Sequence, residues 1–316
     1  MMMKHHCKSL LLAALLLGML PSCANAAEFA FGVIGLSIKT PNDAAPLVQA
    51  IAESDADNLA FVVADGFKRV DESCSDELYQ QRYGVLANAK NGLILALAAG
   101  DWSECKSRSG RIDGIERLAR LRELFFADEF SLGASKIPLI RQSITPKFRS
   151  YVENARWEVG NVVFTAFNLP AGNNRYRTEA GRNSEFEDRA IATRDWLRHT
   201  FTNAALHKST GIVLICDGNP LAKSGQSRLF ENNARRDGYA EVRQQLTALS
   251  AKFPGKVLLI HNRADTKAPH DEKITWHGNV GELEVDAGWV KVAVKTGSSV
   301  LFTAKVGEAQ NPNLPQ

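Results

Sequence analysis

Gly92-Leu-Ile-Leu-Ala-Leu-Ala-Ala-Gly100-Asp-Trp-Ser-Glu-Cys105 runs from an unbroken apolar stretch straight into a polar turn. A short continuous apolar run is the pattern of a strand buried on both faces, as in sheets covered by helices. The polar turn then falls at the strand's C-terminal end, where open α/β folds place their chemistry. Working outward, Phe29–Leu36, Leu59–Ala64, Leu93–Ala98, Val162–Asn168, Ile212–Cys216 and Val257–His261 read as strands of this kind. Helical spacing occupies Asp43–Glu53, Asp76–Ala89, Ile112–Phe126, Ser184–Leu206 and Gly238–Phe253. In the third of these, Ile115, Leu118, Leu121 and Leu124 recur every third residue, giving one core-facing stripe opposite a charged, solvated face. A hairpin is expected to turn at Gly160-Asn161, and Leu283–Val285 with Trp289–Val294 reads as a second. The expected architecture is a layered α/β sandwich with mixed sheets. It forms one domain over 27–309, and residues 310–316, with Pro312 and Pro315, form a loose tail.

The first 26 residues stand apart from this alternation. Lys4, His5, His6 and Lys8 make a basic start, Leu10–Leu20 an apolar core, and Ala24-Asn25-Ala26 a small-x-small cleavage site. Residues 1–26 are therefore expected to be a secretory signal, giving a secreted or periplasmic protein that begins at Ala27. Leu20-Pro21-Ser22-Cys23 also resembles a lipoprotein box, the weaker alternative because proline fits it poorly. No later segment reaches the roughly 20 apolar residues of a transmembrane helix.

The formal charge of +3 includes Lys4 and Lys8, so the chain from Ala27 carries only +1. With no long basic run to follow a phosphate backbone, nucleic acid is not an expected partner. The cysteines left after export are Cys74, Cys105 and Cys216. Cys74 and Cys105 lie in polar loops after successive strands and are expected to form a disulfide, which an oxidising compartment permits. Cys216 closes an apolar run and reads as a buried thiol behaving as a small hydrophobe.

Common catalytic motifs are missing: the chain has no G-x-G-x-x-G after its first strand and no G-x-S-x-G elbow. Asp217-Gly-Asn-Pro-Leu-Ala-Lys-Ser224 lacks the glycines of a phosphate loop and reads as a plain loop. His261-Asn-Arg-Ala-Asp265, with His270, Asp271 and His277, gathers possible metal ligands at a spacing that matches no compact motif. Arg175, Arg177 and Arg182 read as an exposed polar loop, with an anion patch as the alternative.

From about Phe31 to Val306 the chain resembles a secreted bacterial branch of the calcineurin-like metallophosphoesterase superfamily. The resemblance rests on landmarks in order: Phe31-Gly-Val-Ile-Gly35, Phe61-Val-Val63, Cys74-Ser-Asp-Glu-Leu78, Trp102-Ser-Glu-Cys105 and Glu116–Phe126. Arg156-Trp157, Asn168-Leu-Pro-Ala-Gly-Asn-Asn174, Val257-Leu-Leu-Ile-His261 and Trp289-Val-Lys-Val292 follow. The resemblance implies two metal ions about 4 Å apart, held by Asp, Asn and His at strand ends around a bridging water. The matching positions depart from that pattern. With Gly35 and Gly66 as the family glycines, Leu36 and Phe67 replace two aspartates and line the cleft floor. Ala98-Ala99-Gly100-Asp101 replaces Gly-Asp-Asn-Glu, and Asp265 replaces a histidine. A one-residue slip would instead bring Asp65 or Asp101 into register.

Two dications about 4 Å apart repel by on the order of 15 kcal/mol at an effective dielectric near 20, and Leu, Phe and Ala offset none of it. No metal pair or other cofactor is therefore expected, and His261 is assigned to packing and a local hydrogen bond. The candidate cleft residues are Asp65, Asp101, Asn168, His261 and Asp265. The expected function is binding of a ligand or protein partner by a chain that has lost its metal chemistry. The alternative is a metal-dependent phosphoesterase with a rebuilt, mononuclear site on His261, Asp265, Asp101 and Asn168.

Overall fold

The computed structural model describes residues 27–35, 44–107, 109–177, 183–222, 236–263 and 273–307. The segment expected to be a signal, Leu36, Arg182, Lys223-Ser224, Asp265, His270, Asp271 and the expected tail all lie outside the described residues. No described helix is long and apolar enough to cross a membrane.

The strands form two sheets. The first contains β1 (Glu28–Gly35), β2 (Val62–Asp65), β3 (Leu93–Ala96), β11 (Gly288–Lys295) and β12 (Phe302–Val306) in the order β12-β11-β1-β2-β3. The second contains β4 (Ile140–Arg141), β5 (Ala155–Val159), β6 (Val162–Ala166), β7 (Gly211–Ile215), β8 (Lys256–Asn262), β9 (Thr275–His277) and β10 (Val280–Val285). Its order is β4-β5-β6-β7-β8-β10-β9. β1, β2 and β3 are mutually parallel, as are β6, β7, β8 and β10, and the remaining pairings are antiparallel.

The parallel strands β2, β3, β6, β7 and β8 are buried on both faces, which explains their unbroken apolar sequences. Phe31, Val33, Phe61, Val63, Phe164, Val213, Leu258 and Val292 fill the space between the sheets. Its aromatic centre packs Phe61 edge-on to Phe164 and Trp157 and stacks it on Phe31. Residues of opposite parity face the helices. Ile34, Val62, Ala64, Leu93 and Leu95 pack on α1 (Ala45–Asp55), α2 (Asp76–Ala87) and α3 (Gly114–Phe125). Apart from the one-turn α4 (Ala171–Asn174), the remaining helices are α5 (Ser184–Leu206) and α6 (Ala240–Ser250). They cover Val163, Ile212, Leu214, Val257 and Leu259 on the second sheet. The result is a helix–sheet–sheet–helix sandwich, in keeping with the expected α/β layering.

The hairpin at Gly160-Asn161 is present: β5 and β6 pair antiparallel from Val159–Val162 to Ala155–Ala166. Both turn residues have positive φ, 54° and 65°. The second expected hairpin is corrected. β10 pairs with β8 and β9, β11 pairs with β1 and β12, and Asp286-Ala287 carries the chain between sheets. Gly35 is required at this crossing, since a Cβ there would lie 2.3 Å from the Asp286 carbonyl oxygen.

The disulfide Cys74–Cys105 is formed, with Cα atoms 5.8 Å apart, and ties the loop after β2 to the loop after β3. Cys216 is a buried free thiol. Closing a chain separation of 31 residues stabilises by about 3–4 kcal/mol through lost unfolded-state entropy. Urea unfolding of the Cys74→Ser/Cys105→Ser double variant is expected to show that loss. An unchanged midpoint with an unchanged slope would count against it.

Candidate functional site

The parallel strands of both sheets end at a common edge, where a cleft of about 480 Å³ opens. Strand alternation decides what enters it. Phe61 and Val63 face the inter-sheet core, so Asp65 at the end of β2 emerges on the same side. By the same count Val213 and Ile215 lead to Asp217, and Leu258 and Ile260 lead to Asn262. Asp65, Asp217 and Asn262 all line the cleft.

Asp101 lies beneath the loops. Its Oδ1 accepts from the backbone N–H of Phe67 (3.1 Å) and Lys68 (3.3 Å), and its Oδ2 from Ala98 N–H at 2.8 Å. Gly66 makes this possible: at φ 87° it turns the chain so that the following amides point at Asp101. A side chain there would also meet Ala98 Cβ at 2.8 Å. Burial pushes the Asp101 carboxyl up to about 7, against the opposing pull of those amides and of Lys68. Lys68 Nζ is spent on the carbonyl oxygens of Arg69 (2.7 Å) and Gly100 (2.6 Å).

Asp217 fastens the two sheets together. Its Oδ2 accepts from Ala99 N–H (2.6 Å) beyond β3 and from Ala171 N–H (2.7 Å) beyond β6. Its Oδ1 accepts from Asn262 Nδ2 at 3.0 Å. Burial raises its pKa, while these donors restrain the rise.

Asp65 differs from both. It is 1% exposed, and neither carboxylate oxygen has a hydrogen-bond partner. Burial, followed by the charges of Asp217 and Asp101, holds its pKa well above the usual carboxylate range. A buried, unpaired carboxyl costs free energy that a matching donor or cation would return.

Several expected site residues lie elsewhere. Phe67 does not line the cleft floor: it is buried against the helices of the first sheet, stacked on Phe125 at 4.8 Å and edge-on to Tyr79 at 5.6 Å. His261 is one residue out of phase with the cleft and faces the helix side of the second sheet with Val257 and Leu259. There its Nδ1 meets the carbonyl oxygen of Asn262 at 2.8 Å, the local hydrogen bond expected of it, and Nε2 meets Glu282. Asn168 is buried and bonded to Glu153 and Asn154, away from the cleft lining. Asp265 and Leu36 lie outside the described residues. Arg175 is paired with Glu185 at 3.1 Å and sits over Trp102, so it is not available to an anion patch.

Sequence reasoning passed over Asp217 and Asn262. The signal for Asp217 was present, since it is the first charged residue after an apolar strand, as Asp65 is. Asn262 was hidden by its histidine neighbour, which has the more familiar metal chemistry.

Among the described residues, the donor set does not fit a binuclear metal centre. Asp101 gives both oxygens to backbone amides, Asp217 gives both to Ala99, Ala171 and Asn262, and His261 faces the opposite side of its sheet. Among the described cleft residues that leaves the Asp65 carboxylate and the exposed Glu104, with no histidine, too few ligands to hold two dications. No family model and no curated protein matches the chain.

Proposed function

We propose that the protein is exported, has the calcineurin-like phosphoesterase fold, and uses the cleft at its strand ends to bind a ligand rather than a pair of catalytic metal ions. Support for export comes from the apolar leader with its small-x-small site and from a disulfide suited to an oxidising compartment. Support for the fold comes from the ordered landmarks and from the helix–sheet–sheet–helix layering with a cleft at the parallel strand ends. The observation that carries the binding role is the allocation of carboxylate oxygens. Asp101 and Asp217 build the cleft, and Asp65 alone of the three presents uncommitted oxygens to it. Such a floor selects a group that donates hydrogen bonds or carries positive charge.

Those two free oxygens also favour a second reading, in which one divalent cation binds at Asp65 and the protein is a mononuclear phosphoesterase. Turnover of p-nitrophenyl phosphate and bis(p-nitrophenyl) phosphate, with and without chelator, separates the two. Under the binding role, the rate equals that of the Asp65→Asn variant and ignores the chelator. Chelator-sensitive turnover that disappears in Asp65→Asn would establish the enzyme and reject the binding role. His261→Ala is the wrong control, because that side chain faces away from the cleft.

A further inference from the structure

His261 has been accounted for so far only by a local hydrogen bond, yet it faces two carboxylates on the far side of the sheet from the cleft. Strand pairing makes the arrangement. Leu283 and Val285 of β10 point into the inter-sheet core, so Glu282 and Glu284 emerge on the opposite face. The parallel register of β8 and β10 sets Glu284 directly beside His261. One ligand atom from each of His261, Glu282 and Glu284 lies within 4.8 Å of the other two.

Both ring nitrogens of His261 face oxygens. The Asn262 carbonyl oxygen, 2.8 Å from Nδ1, only accepts, so Nδ1 carries a proton. Nε2 then faces Glu282 Oε1 at 3.0 Å. In a neutral ring, that contact sets a lone pair against a carboxylate oxygen. Either a proton or a metal ion between them removes the conflict. Asn219 Nδ2 donates to the same Glu282 oxygen and fixes the carboxylate's orientation.

We propose that His261, Glu282 and Glu284 form a site for a single zinc-class divalent ion on the helix-facing side of the second sheet. One imidazole and two carboxylates are a zinc-compatible donor set. A ring nitrogen opposite the ligating one, hydrogen-bonded to a backbone carbonyl, is the usual way a protein fixes a metal-binding histidine. Ligand atoms about 2.0–2.2 Å from one ion stand about 3–3.5 Å apart, so the contact at Nε2 is already near the required spacing. His261 is 1% exposed while both glutamates are half-buried, so the ion enters from the carboxylate side. Glu282 also lines a cavity of about 520 Å³ with Leu246, Val257, Leu259 and His277. This site is independent of the cleft and of the function proposed for it.

The test uses untagged protein purified from the export compartment, stripped with chelator and titrated with Zn²⁺ against a chromophoric competitor. Co²⁺ absorption serves as a second readout. One ion per chain is expected, with affinity lowered at least about 100-fold in His261→Gln and Glu284→Gln and unchanged in Asp65→Asn. Because His261 is buried, Glu284→Gln, near-isosteric at a half-buried position, decides the matter if His261→Gln does not fold. Absence of saturable binding to the unmodified protein would overturn the proposal. So would binding that survives Glu284→Gln, or that is lost in Asp65→Asn, which would place the ion in the cleft instead.

Discussion

Phe67→Asp is expected to unfold the protein. If Phe67 held the position of a lost metal-bridging aspartate, this substitution would restore a ligand and leave the fold intact. The side chain instead lies 1% exposed in the core between the first sheet and its helices, against Phe125 and Tyr79. Truncating a buried phenylalanine to alanine costs about 3–5 kcal/mol. Aspartate adds an unpaired buried charge to the same cavity, and a total stability of about 5–15 kcal/mol leaves little margin for both. Phe67→Leu, which roughly keeps apolar volume, is expected to cost no more than about 1.5 kcal/mol. Circular dichroism with denaturant titration checks both. A folded Phe67→Asp protein that gained metal binding would move Phe67 into the cleft.

Asp65→Asn is expected to stabilise the protein at pH 8, because the amide is neutral without a proton, whereas the buried carboxyl must keep one that the unfolded chain has released. The sign follows from proton linkage. Burial, with the charges of Asp217 and Asp101, raises the folded-state pKa of Asp65. Below the ordinary carboxylate pKa both states hold the proton, so its contribution to stability is fully present. As pH rises from about 4, the unfolded chain releases the proton first and the folded state loses stability. Asp101, pushed up to about 7, adds a loss in the same direction over that window. The carboxyls of Glu185 and Asp237, lowered by Arg189 and Arg243, act in the opposite sense, so the total pH profile mixes both. Subtracting the Asp65→Asn curve from the unmodified one isolates Asp65. The gain should be small at pH 5 and grow toward pH 8. A destabilised variant, or a difference independent of pH, would mean that Asp65 is satisfied in the folded protein. Stability sacrificed at one unpaired carboxyl is what a binding floor entails.

Much of the fold was legible as punctuation. The strand–loop boundaries at β2, β6, β7 and β8 appear in the sequence as an apolar run ending in a polar residue, and the helices carry their own spacing. The Gly160-Asn161 turn was readable because only particular residues accept its positive φ. The Cys74–Cys105 pairing was readable because successive parallel strands bring their following loops to one edge.

Phase within the strands was not readable. A strand buried on both faces has apolar residues at every position, so its sequence carries no mark of which side chains face the other sheet and which face the helices. A one-residue change of phase exchanges the faces. For that reason sequence alone nominated His261 where Asn262 enters the cleft, and gave Phe67 the cleft floor that Asp65 occupies. Pairing partners were hidden for a related cause. β10 and β11 are separated by two residues and look like a hairpin, but each finds a longer partner in a different sheet. The sequence by itself determined where strands stop and that polar groups gather there. Only the tertiary structure decided which of those groups meet, because sheet-to-sheet and sheet-to-helix packing sets the phase that turns Asp65, Asp217 and Asn262 into one cleft and His261, Glu282 and Glu284 toward the other side.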